Sequence, residues 1–119
     1  MLAKANRIRS GTDYRLTVRK GARVHGPNTI VYVRRAVGPA EDVSPVRFGF
    51  IVSKAVGGAV VRNTVRRRLK AVCRELLPEL APGHEIVVRA LPACAQASWI
   101  TLQSEIRRAV DKVGARCMP

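Results

Sequence analysis

The sequence predicts an α+β fold in which three helices pack on a β-sheet. Three runs rich in β-branched and aromatic residues are typical of strands, and two long segments without proline or glycine repeat apolar residues at helical spacing. The 119 residues, 47% of them hydrophobic, suffice for one domain with its own core. We therefore predict a single domain over residues 1–119, with a flexible basic arm at about residues 1–9, where no apolar periodicity is present.

The helices have recognisable boundaries. Ser10 or Thr12 is expected to cap a first helix that continues to about residue 20, where Gly21 ends it. A second helix begins near residue 59 and is ended by Pro78. A third helix is predicted from about residue 97 to residue 113, and its apolar, core-facing stripe consists of Trp99, Leu102, Ile106, Ala109 or Val110, and Val113.

The strands are predicted at residues 29–34, 47–53 and 84–90. The first strand directs Ile30 and Tyr32 to one face of the sheet and Val31 and Val33 to the other. The first two strands are joined by a short loop at residues 38–45, so we expect them to pair antiparallel. The second and third strands flank the long helix, which predicts a β-α-β unit with parallel neighbouring strands.

The long helix has two contrasting sides. The stretch from Lys54 to Arg74 contains seven basic residues and no acidic one. On a helical wheel the apolar stripe is Val61, Val65, Leu69, Val72 and Leu76. The side that we call the basic arc consists of Arg62, Asn63, Arg66, Arg67, Lys70 and Arg74. Like charges four residues apart repel each other, so an arc without interspersed glutamates indicates an anionic partner rather than an ordinary solvated face.

The overall composition indicates which anion is bound. Twenty-two Lys and Arg against eight Asp and Glu give a net charge of +14 and a pI near 11.4, as expected for a protein bound to nucleic acid. No apolar run has the length of a membrane span, and the N-terminus lacks the apolar core of a signal peptide, so we expect no membrane partner. The widely spaced Cys73, Cys94 and Cys117 suggest neither disulfides nor a zinc site and fit a reducing cytoplasm, with Cys73 a core residue.

A search for catalytic groups finds none that form a motif. His25 and His84 are the two histidines, and no acidic pair has the spacing of metal ligands, so we assign neither catalytic nor metal-binding residues. Tyr14 and Tyr32 could stack on bases, as aromatic side chains do in grooves that bind single-stranded RNA, or could equally be buried with a satisfied hydroxyl. Helix-turn-helix and zinc-finger patterns are absent from the sequence.

The segment from Ala59 to Lys70 closely resembles the signature of the protein subunit of bacterial ribonuclease P. In that signature an Arg-Asn pair, here Arg62-Asn63, is followed by a hydrophobic residue and a basic doublet on one helix. Residues 50–54 resemble the strand of this family that ends in Val-Ser-Lys, and residues 13–21 resemble its first helix. The order of helices and strands also agrees over roughly residues 6–113.

The resemblance implies a fold and a function. The fold is a ribosomal-protein S5 domain 2-like α/β sandwich, with a mostly antiparallel sheet of about four strands, three helices and a left-handed β-α-β crossover. The protein would bind the catalytic RNA of ribonuclease P and the single-stranded 5′ leader of precursor tRNA, while the RNA with bound Mg²⁺ performs the cleavage. Matching positions for the catalytic RNA are Lys54, Arg62, Asn63, Arg66, Arg67, Arg68 and Lys70, and those for the leader are Tyr14 and Tyr32.

Two positions depart from the family pattern. Val18 stands where many relatives have a second aromatic residue, and Thr64 stands where a third cation is common, which Arg68 could replace. Two other functions were weighed: a non-catalytic ribosome-associated or RNA-chaperone protein of similar fold, and a protein-only nuclease that uses His25 or His84.

Overall fold

The computed structural model describes residues 2–35 and 45–115. Short 3-10 turns at Lys4–Asn6, Leu77–Glu79 and Pro92–Gln96 accompany the regular elements. In chain order these elements are α1 (Gly11–Lys20), β1 (Ala22–His25), β2 (Thr29–Arg35), β3 (Arg47–Ile51), α2 (Ala59–Leu76), β4 (His84–Ala90) and α3 (Trp99–Lys112). The predicted α+β class, its three helices and its three strands are confirmed. The loop predicted at residues 38–45 lies outside the described residues except for Pro45.

The four strands form one sheet in the order β1-β2-β4-β3. The predicted antiparallel pairing of β2 with β3 is wrong, because β4 lies between them, antiparallel to β2 and parallel to β3. The parallel β-α-β unit is confirmed. Ile86, Val87 and Val88 are fully buried, and such a continuous apolar run is typical of a central strand with both faces covered.

Strand β1 was not predicted from the sequence. It pairs antiparallel with β2, but its four residues are largely exposed and carry no alternation of apolar and polar side chains. Strand β1 directly follows helix α1 in the chain. Helix α1 begins where the Ser10 hydroxyl accepts hydrogen bonds from the backbone N–H groups of Thr12 and Asp13. Helix α1 ends at Gly21, and a side chain there would lie 2.9 Å from the carbonyl oxygen of Val33. Glycine is needed at this position for close approach rather than for a left-handed conformation.

The larger core lies between one face of the sheet and helices α2 and α3. Strand β2 contributes Val31 and Val33 to it, as predicted, while Tyr32 lies on the opposite face, under α1. Four residues of the predicted α2 stripe, together with Cys73, are buried: Val65, Leu69, Val72 and Leu76. Each such side chain stabilises the fold by about 1.5–3 kcal/mol, which outweighs the repulsion of about 0.2–0.5 kcal/mol per like-charge pair on the other side of α2.

The first residue of each predicted stripe is more exposed than expected. Val61 is 39% exposed and Trp99 is 36% exposed, whereas Val65 and Leu102, one turn further along, are buried. Both exceptions lie in the first turn of their helices. Helical periodicity identifies the side of a helix that faces the core, but it does not show where along the axis the core begins.

Residues 2–9 pack on the domain and do not form the free arm that we predicted. Leu2 and Ile8 are each 5% exposed, and the side-chain amide of Asn6 donates to the carbonyl oxygen of Val46 at 2.8 Å. The N–H of Ile8 donates to the carbonyl oxygen of Phe48 at 2.8 Å. This segment therefore covers the outer edge of β3, which would otherwise leave backbone groups unpaired. Two apolar anchors separated by polar residues give no periodic signal in the sequence.

Candidate nucleic-acid interface

The central part of the basic arc lines an open groove on the surface of α2. The groove has a volume of about 360 Å³, and the residues that line it are Leu2, Arg7, Asn63, Arg66, Arg67, Lys70 and Ala71. We call it the arc groove. The structure thus brings together Asn63, Arg66, Arg67 and Lys70, as the sequence predicted, and it adds Arg7 from the N-terminal segment. Sequence reasoning missed Arg7 because residues 1–9 were expected to be detached from the domain.

The cations of the arc groove point outward because the opposite side of α2 is fixed in the core. Val65 and Leu69 are at most 1% exposed, which leaves no freedom for the helix to rotate. Arg66 donates to the side-chain oxygen of Asn63 at 3.4 Å, one turn earlier on the same surface. Asp13, Glu79 and Glu85 form ion pairs with Arg34, Arg47 and Arg107, which lie outside this groove. The grouped cations give the arc groove a positive charge that suits a bound anion.

The other residues predicted to bind the catalytic RNA do not line the arc groove. Arg68 is exposed on the flank of α2, where it donates to the carbonyl oxygen of Ala97 at 3.4 Å. Lys54 is exposed in the turn that precedes α2. Arg62 is half-buried, and its Nε atom has no hydrogen-bond partner among residues 2–35 and 45–115. Neither Lys54 nor Arg62 lines the arc groove.

A second groove lies between α1 and the sheet, and we call it the α1 groove. It has a volume of about 220 Å³ and combines an apolar floor with arginines at its margin; the residues that line it are Tyr14, Arg15, Val18, Arg19, Ile51 and Arg89. The sequence predicted Tyr14 but missed the three arginines. Arg15 and Arg19 are four residues apart on α1, so their shared face could have been recognised. Arg89 could not have been recognised as part of this groove from the sequence, since its neighbours across the sheet depend on the strand order.

Tyr14 is held in place by strand β3. Its hydroxyl oxygen accepts a hydrogen bond of 3.1 Å from the N–H of Phe50, and its ring lies directly over Gly49. A side chain at Gly49 would lie 2.5 Å from the Tyr14 Cζ atom, so only glycine permits this contact. The ring is half-buried and borders the α1 groove, which leaves part of its surface accessible for stacking.

Tyr32 does not occupy the position that a stacking residue requires. It is 4% exposed and packs with Ile8 and Val87 under α1. The guanidinium carbon of Arg89 lies over its ring, 6.0 Å from the centroid, where it makes a cation–π contact. The burial of this ring and the position of Arg89 over it do not favour the predicted leader contact of Tyr32, which stays a prediction. Tyr32 instead supports Arg89 at the margin of the α1 groove.

A buried carboxylate fixes α1 on the sheet beside this groove. The side chain of Glu85, 3% exposed, accepts hydrogen bonds from Arg34 at 3.0 Å and Arg47 at 2.7 Å, its neighbours on the adjacent strands. Thr17 of α1 donates to the same carboxylate at 3.3 Å, and Arg47 also contacts Asp13 at 3.4 Å. Since a buried charge is tolerated only when it is paired, this network determines where α1 lies.

The two histidines do not form a common site. His25 is opposite Ile30 and His84 is opposite Arg35, so they lie five residues apart along β2, or roughly 16 Å at 3.3 Å per residue. The Nδ1 atom of His84 is 3.0 Å from the carbonyl oxygen of Ala81, which accounts for the orientation of the ring.

Within residues 2–35 and 45–115 no three His, Cys, Asp or Glu side chains are grouped to hold a metal ion. None of the helices in this part of the chain has the length and apolar character required to cross a membrane.

These features define an α+β nucleic-acid-binding protein with one basic groove on α2 and another beside α1. The family model for ribonuclease P matches residues 2–114. The ribonuclease P protein component of Clavibacter michiganensis is 50% identical over 112 residues, which cover 94% of this chain and 96% of that protein. The ribonuclease P protein component of Mycobacterium ulcerans is 45% identical over 119 residues, which cover 97% and 98%. The chain belongs to the ribonuclease P protein family.

Solved structures of this family share the fold. The RNase P protein of Staphylococcus aureus superposes with a TM-score of 0.77 at 23% identity, covering 94% of this chain and 98% of that one. The RNase P protein of Thermotoga maritima superposes with a TM-score of 0.75 at 19% identity, covering 89% and 96%. The α/β sandwich expected from the family resemblance is thereby confirmed.

Proposed function

We propose that this protein is the RNA-binding subunit of a ribonuclease P holoenzyme that matures the 5′ ends of tRNA, and that its arc groove binds the catalytic RNA. The observation that carries the proposal is the grouping of Arg66, Arg67 and Lys70 around Asn63 on a helix whose other side is buried. Cations held on a rigid helix bind phosphates and release counterions from the RNA. The side chain of Asn63 adds hydrogen-bonding capacity beside them.

The α1 groove is proposed to bind the single-stranded 5′ leader of precursor tRNA. Its lining supplies what an unpaired strand requires: Tyr14 as a stacking surface, and Arg15, Arg19 and Arg89 as contacts for phosphates. Val18 extends the apolar floor but offers no aromatic face. We therefore expect one stacked base at this position, with Tyr14 rather than Tyr32 as the aromatic partner.

Cleavage is proposed to be carried out by the RNA, with Mg²⁺ held by the RNA rather than by this chain. The carboxylate of Glu85, beside α1, is 3% exposed and is paired with Arg34 and Arg47, which leaves it poorly suited as a Mg²⁺ ligand. The protein would raise substrate affinity by binding the leader and the catalytic RNA at the same time. A cytoplasmic location fits this role and the reduced Cys73 and Cys94.

A processing assay tests the proposal. Precursor tRNA is incubated at low Mg²⁺ with the catalytic RNA alone, with the protein alone, and with both. We expect efficient 5′ maturation only in the complete mixture, because the protein contributes binding rather than chemistry. Cleavage by the protein alone would instead favour the protein-only nuclease. Failure to stimulate the RNA would favour an RNA chaperone of similar fold.

Substitution of Tyr14 tests the leader site. Tyr14→Ala should weaken the binding of leader-bearing precursor tRNA by about 5- to 160-fold, since stacking contributes about 1–3 kcal/mol per base, and should leave leaderless tRNA unaffected. Tyr14→Phe is the matched control, because it keeps the ring and loses only the hydroxyl that accepts from Phe50. An equal loss for both substrates would mean that Tyr14 acts through packing.

A further inference from the structure

Trp99 is only partly covered, although its sequence position suggested a core residue. It is the first residue of α3 and the single tryptophan of the chain, and 36% of its surface is exposed. The next residue, Ile100, is 73% exposed. A large aromatic side chain that remains accessible beside another exposed apolar residue is more typical of a binding surface than of a core.

The surroundings of Trp99 are basic. An open groove of about 280 Å³ separates the start of α3 from α2, and the residues that line it are Thr64, Arg67, Arg68, Ala71 and Trp99. The hydrogen bond from Arg68 to the carbonyl oxygen of Ala97 holds this arginine beside the entry to α3. The groove therefore combines one aromatic surface with two guanidinium groups, which is the combination that binds single-stranded nucleic acid.

This groove adjoins the arc groove, because Arg67 and Ala71 line both of them. An RNA chain bound along the basic arc therefore passes close to the groove that contains Trp99. Thr64 contributes a short neutral side chain to the lining of this groove.

We propose that Trp99 stacks on an unpaired nucleotide of the RNA bound by α2, while Arg67 and Arg68 contact the phosphates on either side of it. The inference rests on the proposed binding of the catalytic RNA to the arc groove and extends that interface to α3. RNA is favoured as the occupant because the groove is lined by two arginines and shares Arg67 with the arc groove. Every nucleobase has a π-face, so this contact needs no particular base.

Fluorescence offers a direct test because the chain contains a single tryptophan. Titration with the catalytic RNA should quench Trp99 and shield it from acrylamide, and both effects should saturate at the stoichiometry of the complex. A leaderless tRNA at equal concentration serves as the RNA control. If saturating catalytic RNA leaves the emission and the acrylamide quenching unchanged, Trp99 does not contact RNA and the inference is overturned.

Two variants separate stacking from packing. Trp99→Leu keeps an apolar side chain without an aromatic face and should raise the Kd for the catalytic RNA about 5- to 160-fold, while the salt dependence remains unchanged because no charge is lost. Trp99→Phe should restore most of the affinity. Should Trp99→Leu unfold the domain, the quenching and acrylamide shielding of wild-type Trp99 still decide the question.

The outcome for the basic arc distinguishes this inference from the function on which it rests. If Arg66→Ala weakens RNA binding while Trp99→Leu changes the Kd less than twofold, the arc binds RNA and the inference about Trp99 is wrong. If neither substitution changes the Kd, both proposals fail. If both substitutions weaken binding and only Arg66→Ala flattens the salt dependence, both proposals are supported.

Discussion

The basic arc allows a quantitative prediction about a double substitution, Arg66→Ala with Arg67→Ala. Both side chains line the arc groove and neither contributes to the buried side of α2. If each arginine contacts one phosphate, its removal lowers the slope of log Kd against log salt by about 0.7 to 0.9. The double variant should therefore have a slope smaller by about 1.4 to 1.8, and a Kd higher by roughly 25- to 60-fold at about 0.1 M salt.

The same substitution should not destabilise the fold. Arg66 has Arg62 and Lys70 four residues away on either side, and each such like-charge pair destabilises a helix by about 0.2–0.5 kcal/mol. Alanine also has the highest helix propensity. We expect the free energy of unfolding to remain equal or to rise by up to about 1 kcal/mol, so any loss of RNA binding reports a lost contact.

The assay is filter binding to the catalytic RNA from about 50 to about 200 mM salt, with thermal unfolding measured in parallel. Over this fourfold range the wild-type affinity should fall about 7- to 12-fold more than that of the variant. Arg108→Ala with Lys112→Ala is the matched control, because it removes two exposed charges from α3 that line none of the described grooves. A variant with normal unfolding and with the wild-type Kd and slope would refute the reasoning and leave the arc as a solvated helix face. If the control pair changed the Kd and the slope equally, the effect of the arc substitutions would be explained by the loss of net charge alone.

Two further predictions concern buried groups. Glu85→Ala should lower the free energy of unfolding by about 3 kcal/mol in urea titrations, because it leaves two arginines without their buried partner; a loss below about 0.5 kcal/mol would show that the network does not hold α1. Burial, with a smaller contribution from the charge of Glu105, raises the pKa of the Cys94 thiol to about 11, and burial alone raises the pKa of Cys73. At about pH 8 iodoacetamide should therefore modify neither thiol until the protein unfolds, whereas rapid labelling in the folded state, read by peptide mass spectrometry, would contradict their burial.

The sequence by itself determined those features that depend on residues close together in the chain. The boundaries of α1 follow from a serine cap and those of α2 from Pro78, while the division of α2 into an apolar and a basic side follows from helical geometry. The Arg62-Asn63 signature indicated the family without any tertiary contact. Such features are encoded within one or two helical turns, and a linear pattern is enough to reveal them.

Only the tertiary structure decided how distant segments meet. The insertion of β4 between β2 and β3, the packing of residues 2–9 on the edge of β3 and the cover that Arg89 provides for Tyr32 all involve residues far apart in sequence. The exposure of Val61 and Trp99 at the start of their apolar stripes also depends on distant segments, because it is set by where each helix overlies the sheet. Periodicity assigns a side chain to a face, but only the positions of neighbouring elements decide whether that face is covered. Trp99, predicted to lie in the core, for this reason borders a basic groove.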